Sequence, residues 1–151
     1  MKRTVSGFTL IELVVVIALL GILAVVAVPR FISVTSEARV GMLNGLNQNI
    51  KAAVSLAQVK YKAAGGSGTT VSMDGTSVTV VSGTGVPVAA TGGIDKAVNY
   101  SAGANSGLTT DLGVATAGSA VFYYAGTAAV PTCGLTYVQS TAAVTVVTTS
   151  C

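Results

Sequence analysis

Chemistry in this chain of 151 residues must come from few side chains, because 9% are charged and none is histidine. One carboxylate stands in an unlikely place. Glu12 lies near the start of GFTLIELVVVIALLGILAVVAVP, residues 7–29, where Thr9 is the only other polar side chain between positions 8 and 28. A carboxylate inside such a segment costs roughly 2.5 to 3.5 kcal/mol on insertion scales, so it calls for a partner or a purpose. Cys133 and Cys151 are the next candidates. They could form a structural bridge, a redox pair or half of a metal site, and the lack of histidine and of CxxC spacing favours the bridge. The five carboxylates are scattered without visible pairing, so no acid–base centre emerges and the chain is expected to be no enzyme and to need no cofactor. Asp74, Asp95 and Asp111 lack the dense ligand spacing of a calcium loop, so they read as solvated loop acids and no metal is expected. Phe122, Tyr123 and Tyr124 could stack on a ligand, but a strand sending alternate rings into a core is the simpler account.

The elements that hold these residues follow from composition and period. At about 1.5 Å per residue, a helix over 8–28 matches a hydrocarbon core of about 30 Å, so residues 8–29 are expected to form a transmembrane or filament-core helix. Gly21, the valines around it and Pro29 make 21–29 the place where that helix is expected to bend or unwind. Residues 30–64 predict an amphipathic helix, with Val34, Ala38, Met42, Leu46, Ile50, Val54, Ala57, Tyr61 and Ala64 as its core stripe. A continuous helix over both parts would measure about 85 Å, more than a domain of this size buries, which implies a protruding apolar half. Gly41 and Gly45 form a small-xxx-small pair that could admit another helix closely, or merely loosen this one.

From Gly65 onward glycine mixes with Thr, Ser, Ala and Val, and residues 65–151 predict a β-rich head. Residues 71–73 and 77–81 flank Asp74-Gly75, a pair suited to a hairpin. Loops are expected over 83–118, anchored by Ile94, Val98 and Tyr100, and the strongest strand is AVFYYA at 120–125. Residues 135–139 and 144–149 read as two strands about a turn near Ala142, whose antiparallel pairing would set Cys133 opposite Cys151. The fold class is therefore α+β: a long N-terminal helix packed on a small antiparallel sheet. The formal charge of +3 includes Lys2 and Arg3; without them the chain is nearly neutral and gives no argument for nucleic acid.

Residues 1–7 are too short, and the apolar run after them too long, for an ordinary secretory signal. The basic Lys2 and Arg3, the Gly7-Phe8 junction, Thr9 to Leu13 with Glu12 among them, Gly21 and Pro29 resemble the N-terminal signature of type IV pilins and type II secretion pseudopilins. The resemblance covers about the first third of the chain. It implies a leader over 1–7, cleavage between Gly7 and Phe8 by a prepilin peptidase, N-methylation of Phe8, and an assembly register set by Glu12 against the Phe8 amine of a neighbouring copy. It also implies loss of helical order between Gly21 and Pro29 in the filament, and Cys133 with Cys151 resembles the C-terminal disulfide loop of these proteins. The implied partners are further copies of the chain, an assembly ATPase, an inner-membrane platform, and the membrane before assembly; a host surface or DNA would be met outside. The junction Pro29-Arg30-Phe31 resembles the mannose-sensitive haemagglutinin type. The expected function is that of a major pilus subunit serving adhesion, motility or biofilm formation, first in the inner membrane and then on the bacterial surface. A pseudopilin and a membrane-tethered binding module are the alternatives.

Overall fold

The computed structural model describes residues 7–100, 108–112, 118–126 and 131–151, with the side chains of 26, 28–33, 111, 112 and 125 left aside. Helix α1, Leu10–Ala63, leads into the hairpin β1 (Thr70–Met73) and β2 (Thr76–Thr79), the short helix α2 (Ile94–Ala97), and strands β3 (Thr109–Leu112), β4 (Ser119–Gly126), β5 (Pro131–Val138) and β6 (Ala143–Val147). The expected α+β class, a long N-terminal helix followed by small antiparallel sheets, is what the chain adopts. Two compact units divide it, residues 1–37 and 38–151.

In the first unit the helical backbone runs through Gly21 and Pro29 without interruption; the loss of helical order at 21–29 is an expectation for the assembled filament. Proline removes one backbone donor, and the remaining i to i−4 bonds on either side suffice to carry the helix past it. Among the described residues no helix is long and apolar enough to cross a membrane. The side chains of Pro29, Arg30 and Phe31 lie outside the described residues, as do Lys2 and Arg3.

In the second unit α1 ends as its sequence dictates. Gly65 takes a φ of +96°, and the amides of Gly65 and Gly66 return to the carbonyls of Lys62 and Tyr61 at 3.1 and 3.0 Å. This paired closure satisfies two carbonyls that a helix end otherwise leaves open. Lys60 and Lys62 in the last turn complement the negative helix end.

One face of α1 closes both sheets. Leu43, Ile50 and Val54 pack in a cluster with Phe122, Leu135 and Tyr137, and Ala53, Ala57 and Tyr61 pack with Val71, Met73, Val78 and Val80. The predicted stripe holds at Ile50, Val54, Ala57 and Tyr61, is half-buried at Leu46, and fails at Ala38 and Ala64, which are exposed, and at Val34 and Met42, which are 60% and 48% exposed. Leu43 and Ala53 take up the core instead, because the buried face turns toward positions 43, 50, 54, 57 and 61.

The Asp74-Gly75 turn is present, with both residues at positive φ and Met73 paired to Thr76. Such a turn matches the twist of a two-residue hairpin. Ile94 is fully buried, while Val98 and Tyr100 pack against the core as the expected anchors. Strand β3 and helix α2 were not foreseen within 83–118; each is only four residues long. The larger sheet has the order β3-β4-β5-β6, all antiparallel.

Candidate functional site

Helix α1 begins at Leu10, which makes Thr9 its N-cap and Glu12 the third residue inside. Sequence T-x-x-E at this place builds a reciprocal cap. The Thr9 amide donates to Glu12 Oε2 at 2.9 Å, the Thr9 hydroxyl donates to the same oxygen at 2.6 Å, and the Glu12 amide donates to Thr9 Oγ1 at 3.4 Å. The first helical bond, from Leu13 N–H to the Thr9 carbonyl at 3.3 Å, lies inside this box. A carboxylate here also faces the positive end of the helix. Both Thr9 donors reach the same oxygen, Oε2.

Phe8, Ile11, Val15 and Val16 form with Glu12 a shallow apolar cup. Phe8 is 76% exposed. Gly7 precedes it outside the helix and is exposed, and a Cβ on Gly7 would meet nothing within 4 Å. The structure thus groups the predicted residues Gly7, Phe8 and Glu12 at one helix start. Sequence reading counted Thr9 with the motif but gave it no role; the spacing of Thr9 and Glu12 was the available signal.

Cys133 and Cys151 are joined, with their Cα atoms 4.8 Å apart. The expected route to this pairing needs correction. The register Val138↔Ala143 through Gly134↔Val147 would set Thr148, not Cys151, opposite Cys133. The chain instead turns after β6, and the Ser150 amide reaches the Thr132 carbonyl at 3.0 Å, which carries Cys151 back beside Cys133. The bridged end is then tied to α1, where Arg39 Nη1 donates to the Cys151 carbonyl at 3.2 Å and Arg39 Cζ lies 5.6 Å from the centre of the Tyr124 ring.

The aromatic run is occupied internally. Phe122 is fully buried and meets Tyr100 edge-on at 5.4 Å, and the Tyr124 hydroxyl donates to Met42 Sδ at 2.7 Å. Burial pushes the Tyr124 phenol up, Tyr100 adds to the rise, and Arg39 opposes it. Tyr137, fully buried, donates to the Pro87 carbonyl at 2.7 Å, and burial raises its phenol strongly. No group of three or more metal-ligating side chains occurs among the described residues, which leave out the side chain of Asp111.

Comparison with known proteins adds three findings. Residues 2–28 match the prokaryotic N-terminal methylation motif. The chain is 40% identical over 57 residues to the type IV narrow pilus major component PilA5 of Thermus thermophilus, covering 38% of this chain and 49% of that protein. It is 44% identical over 55 residues to the type II secretion system core protein G of Pseudomonas aeruginosa, covering 36% of this chain and 39% of that protein. The chain therefore spans half or less of the curated relatives it matches. No solved structure matches.

Proposed function

We propose that a chain carrying the prepilin N-terminal methylation motif on an uncovered apolar helix is a structural subunit of a type IV pilus. The single observation that carries this is the pairing of the motif over residues 2–28 with a helix start at which Glu12 is the lone charge on an exposed apolar surface. A free molecule leaves that surface in water; a polymer of itself covers it.

The steps rest on the residues at the helix start. A prepilin peptidase cuts after Gly7, which is exposed and precedes the helix. The cut turns the Phe8 amide into an α-amine, which titrates near about 8 and stays largely cationic at neutral pH; N-methylation leaves it basic. Thr9 holds one oxygen of Glu12 while the other receives the Phe8 amine of a copy already in the filament. Attraction across a water-poor interface is strong, and an unpaired charge there is costly, so Glu12 sets register more than it adds adhesion. The precursor is held at the inner membrane by its apolar segment and leaves for the surface pilus as that segment exchanges lipid for other copies. An assembly ATPase and a platform protein supply the work. Adhesion, motility or biofilm formation, and binding to a host surface or DNA, belong to the assembled fibre. Assignment to the mannose-sensitive haemagglutinin type rests on the Pro29-Arg30-Phe31 junction and the general layout of the chain.

A second reading, a type II secretion pseudopilin, is supported by the likeness to core protein G. Mass spectrometry of sheared surface fibres tests the choice. The pilus reading expects fibres rich in this chain, beginning at methylated Phe8 and carrying the Cys133–Cys151 bridge. Absence of such fibres, with loss of secreted enzymes on deleting the chain, would select the pseudopilin. A membrane-bound monomer with Met1 attached would reject both and leave the tethered binding module.

A further inference from the structure

Of the three methionines, Met1 lies in the expected leader and Met73 is 5% exposed inside the second cluster, whereas Met42 is 48% exposed on α1. Its sulfur is engaged all the same. The Tyr124 hydroxyl donates to Met42 Sδ at 2.7 Å, although a thioether is only a weak acceptor. Burial pushes that phenol up, so it remains a donor throughout the neutral range. Arg39 stands three residues before Met42 on the same side of the helix, with its Cζ 5.6 Å from the centre of the Tyr124 ring. Its guanidinium carries five N–H donors, and Nη1 supplies the bond to the Cys151 carbonyl. A phenol and a guanidinium, both donors, thus flank one exposed methionine.

Room for one more atom is also present. Met42 lines a cleft of about 310 Å³ together with Gly45, Val98, Tyr100 and Leu108. A water molecule's share of liquid volume is about 30 Å³, so an added oxygen enters this space without displacing the core. Met73, packed with Ala57, Tyr61 and Val78, has no such access.

We propose that Met42 is an oxidation site whose sulfoxide is received by Tyr124 and Arg39, so that the head takes up a peroxide equivalent without loosening. Tyr124 occupies one lone pair of the thioether and leaves the other for attack on the distal oxygen of a hydroperoxide. An S–O bond forms and the O–O bond breaks; sulfur gives up two electrons, and the peroxide gains them and departs with its proton as water or an alcohol. The product carries a strong acceptor where the thioether was a weak one, which improves the bond from Tyr124 and offers a partner to an Arg39 N–H. Sulfoxidation in an apolar core is disruptive because the new polar oxygen goes unpaired. At Met42 the donors are already in place. A thiol-driven sulfoxide reductase restores the thioether, two thiols giving one disulfide and water. The assignment holds whether or not the chain polymerises.

The test uses the purified full chain in detergent, treated with hydrogen peroxide and mapped by peptide mass spectrometry. In the folded chain Met42 should gain one oxygen at least about tenfold faster than Met73, and in guanidinium chloride the two should react alike, because exposure alone separates them. Equal rates in the folded chain, or no oxidation at Met42, would overturn the site. The oxidised wild type should melt no lower than the untreated chain; a lower melting point would refute the receiving role of the two donors. Tyr124→Phe keeps the ring and removes the hydroxyl, so this variant should melt several degrees lower once oxidised, and an unchanged melting point would refute the part given to Tyr124. Its intact Cys133–Cys151 bridge and a cooperative transition before oxidation report a folded head. Met42→Leu should show no peroxide-dependent shift, and a shift in that variant would place the effect elsewhere in the chain and overturn the assignment.

Discussion

From Leu10 to Val25 the large apolar side chains of α1 are at least 45% exposed, whereas Leu43, Ile50, Val54 and Tyr61 on the same helix are at most 5% exposed. Both stretches are helical and rich in aliphatic residues. The difference lies in what the chain supplies to cover them. The second stretch meets strands from its own chain, Phe122, Leu135 and Tyr137 on one sheet and Val71, Met73 and Val78 on the hairpin. The first has no intramolecular cover among the described residues and presents a single capped charge at its start. One helix thus serves an internal core and, under the proposed function, an external one. The first should fail when assembly is disturbed, the second when folding is disturbed.

The sharpest way to break this contrast is Glu12→Ala. It removes the register charge and one side of the cap while leaving the Gly7-Phe8 bond untouched. Fibre yield should fall at least about tenfold, in line with loss of a close charge pair in a water-poor contact, with cleavage and head stability unchanged. Normal fibre yield would count against the role of Glu12, and a lowered melting point of the head would show that the two stretches are not separable in this way. Thr9→Val, which removes only the hydroxyl that holds Oε2, should show the same pattern in weaker form.

Two substitutions in the head should do the reverse. Ile50→Ala should cost about 2 to 5 kcal/mol in unfolding free energy, because the fully buried side chain leaves a cavity between helix and sheet. Cys151→Ser should cost on the order of 3 kcal/mol by releasing the loop that Cys133 closes. Denaturant unfolding of the full chain in detergent measures both, and equal stability of wild type and Ile50→Ala would contradict the core described here.

Alkaline pH offers a gentler probe of the same division. Burial raises the Tyr137 phenol in the folded head, whereas unfolded tyrosines ionise near about 10. The folded state therefore holds its proton where the unfolded chain has lost it. Stability owed to this group is complete below about pH 10 and is lost as the pH climbs toward the folded value, by less than about 1.4 kcal/mol per unit after solvent screening. Tyr137→Phe should flatten the decline between about pH 10 and 11.5 in a denaturant series. An unchanged slope would mean that other groups govern it. Residues 8–25 contain no tyrosine, so their helicity should not follow this curve.

How much of this was legible depended on whether the physics was local. The Asp74-Gly75 turn, the stop at Gly65 and the strand at 120–125 are written in short spans, because turn geometry and β preference act over a few residues. The cluster at Gly7, Phe8 and Glu12 was legible for the same reason. Leu43 displaced Met42 from the core because the rotation of a helix face is fixed by what it packs against, and that partner lies about 80 residues further along the chain at Phe122 and Leu135. The displaced register at Cys151 was hidden likewise. It depends on the turn after β6 and on the Ser150 to Thr132 bond, neither of which strand alternation encodes.

Glycine gives the smallest and cleanest test of the contrast. Gly85 sits at φ +70°, and a Cβ there would fall 2.5 Å from that of Tyr61, which is buried in the second cluster and accepts a hydrogen bond from Gly83 at 2.7 Å. Gly85→Ala should therefore strain the backbone and push Tyr61 out of place. Gly21 lies in the uncovered stretch of α1 with nothing within 4 Å of an added Cβ. There the change to alanine meets no obstacle and removes only the conformational freedom of glycine, so Gly21→Ala should stabilise the helix by about 1 kcal/mol. Circular dichroism in detergent micelles during a thermal ramp should show helicity persisting a few degrees higher in Gly21→Ala and the head melting earlier in Gly85→Ala. If the filament requires residues 21–29 to give up helical order, the stiffer Gly21→Ala chain should also yield fewer fibres although it is the more stable molecule. Equal or greater yield would mean that the helix enters the fibre as it stands in the isolated chain, unbroken through Pro29.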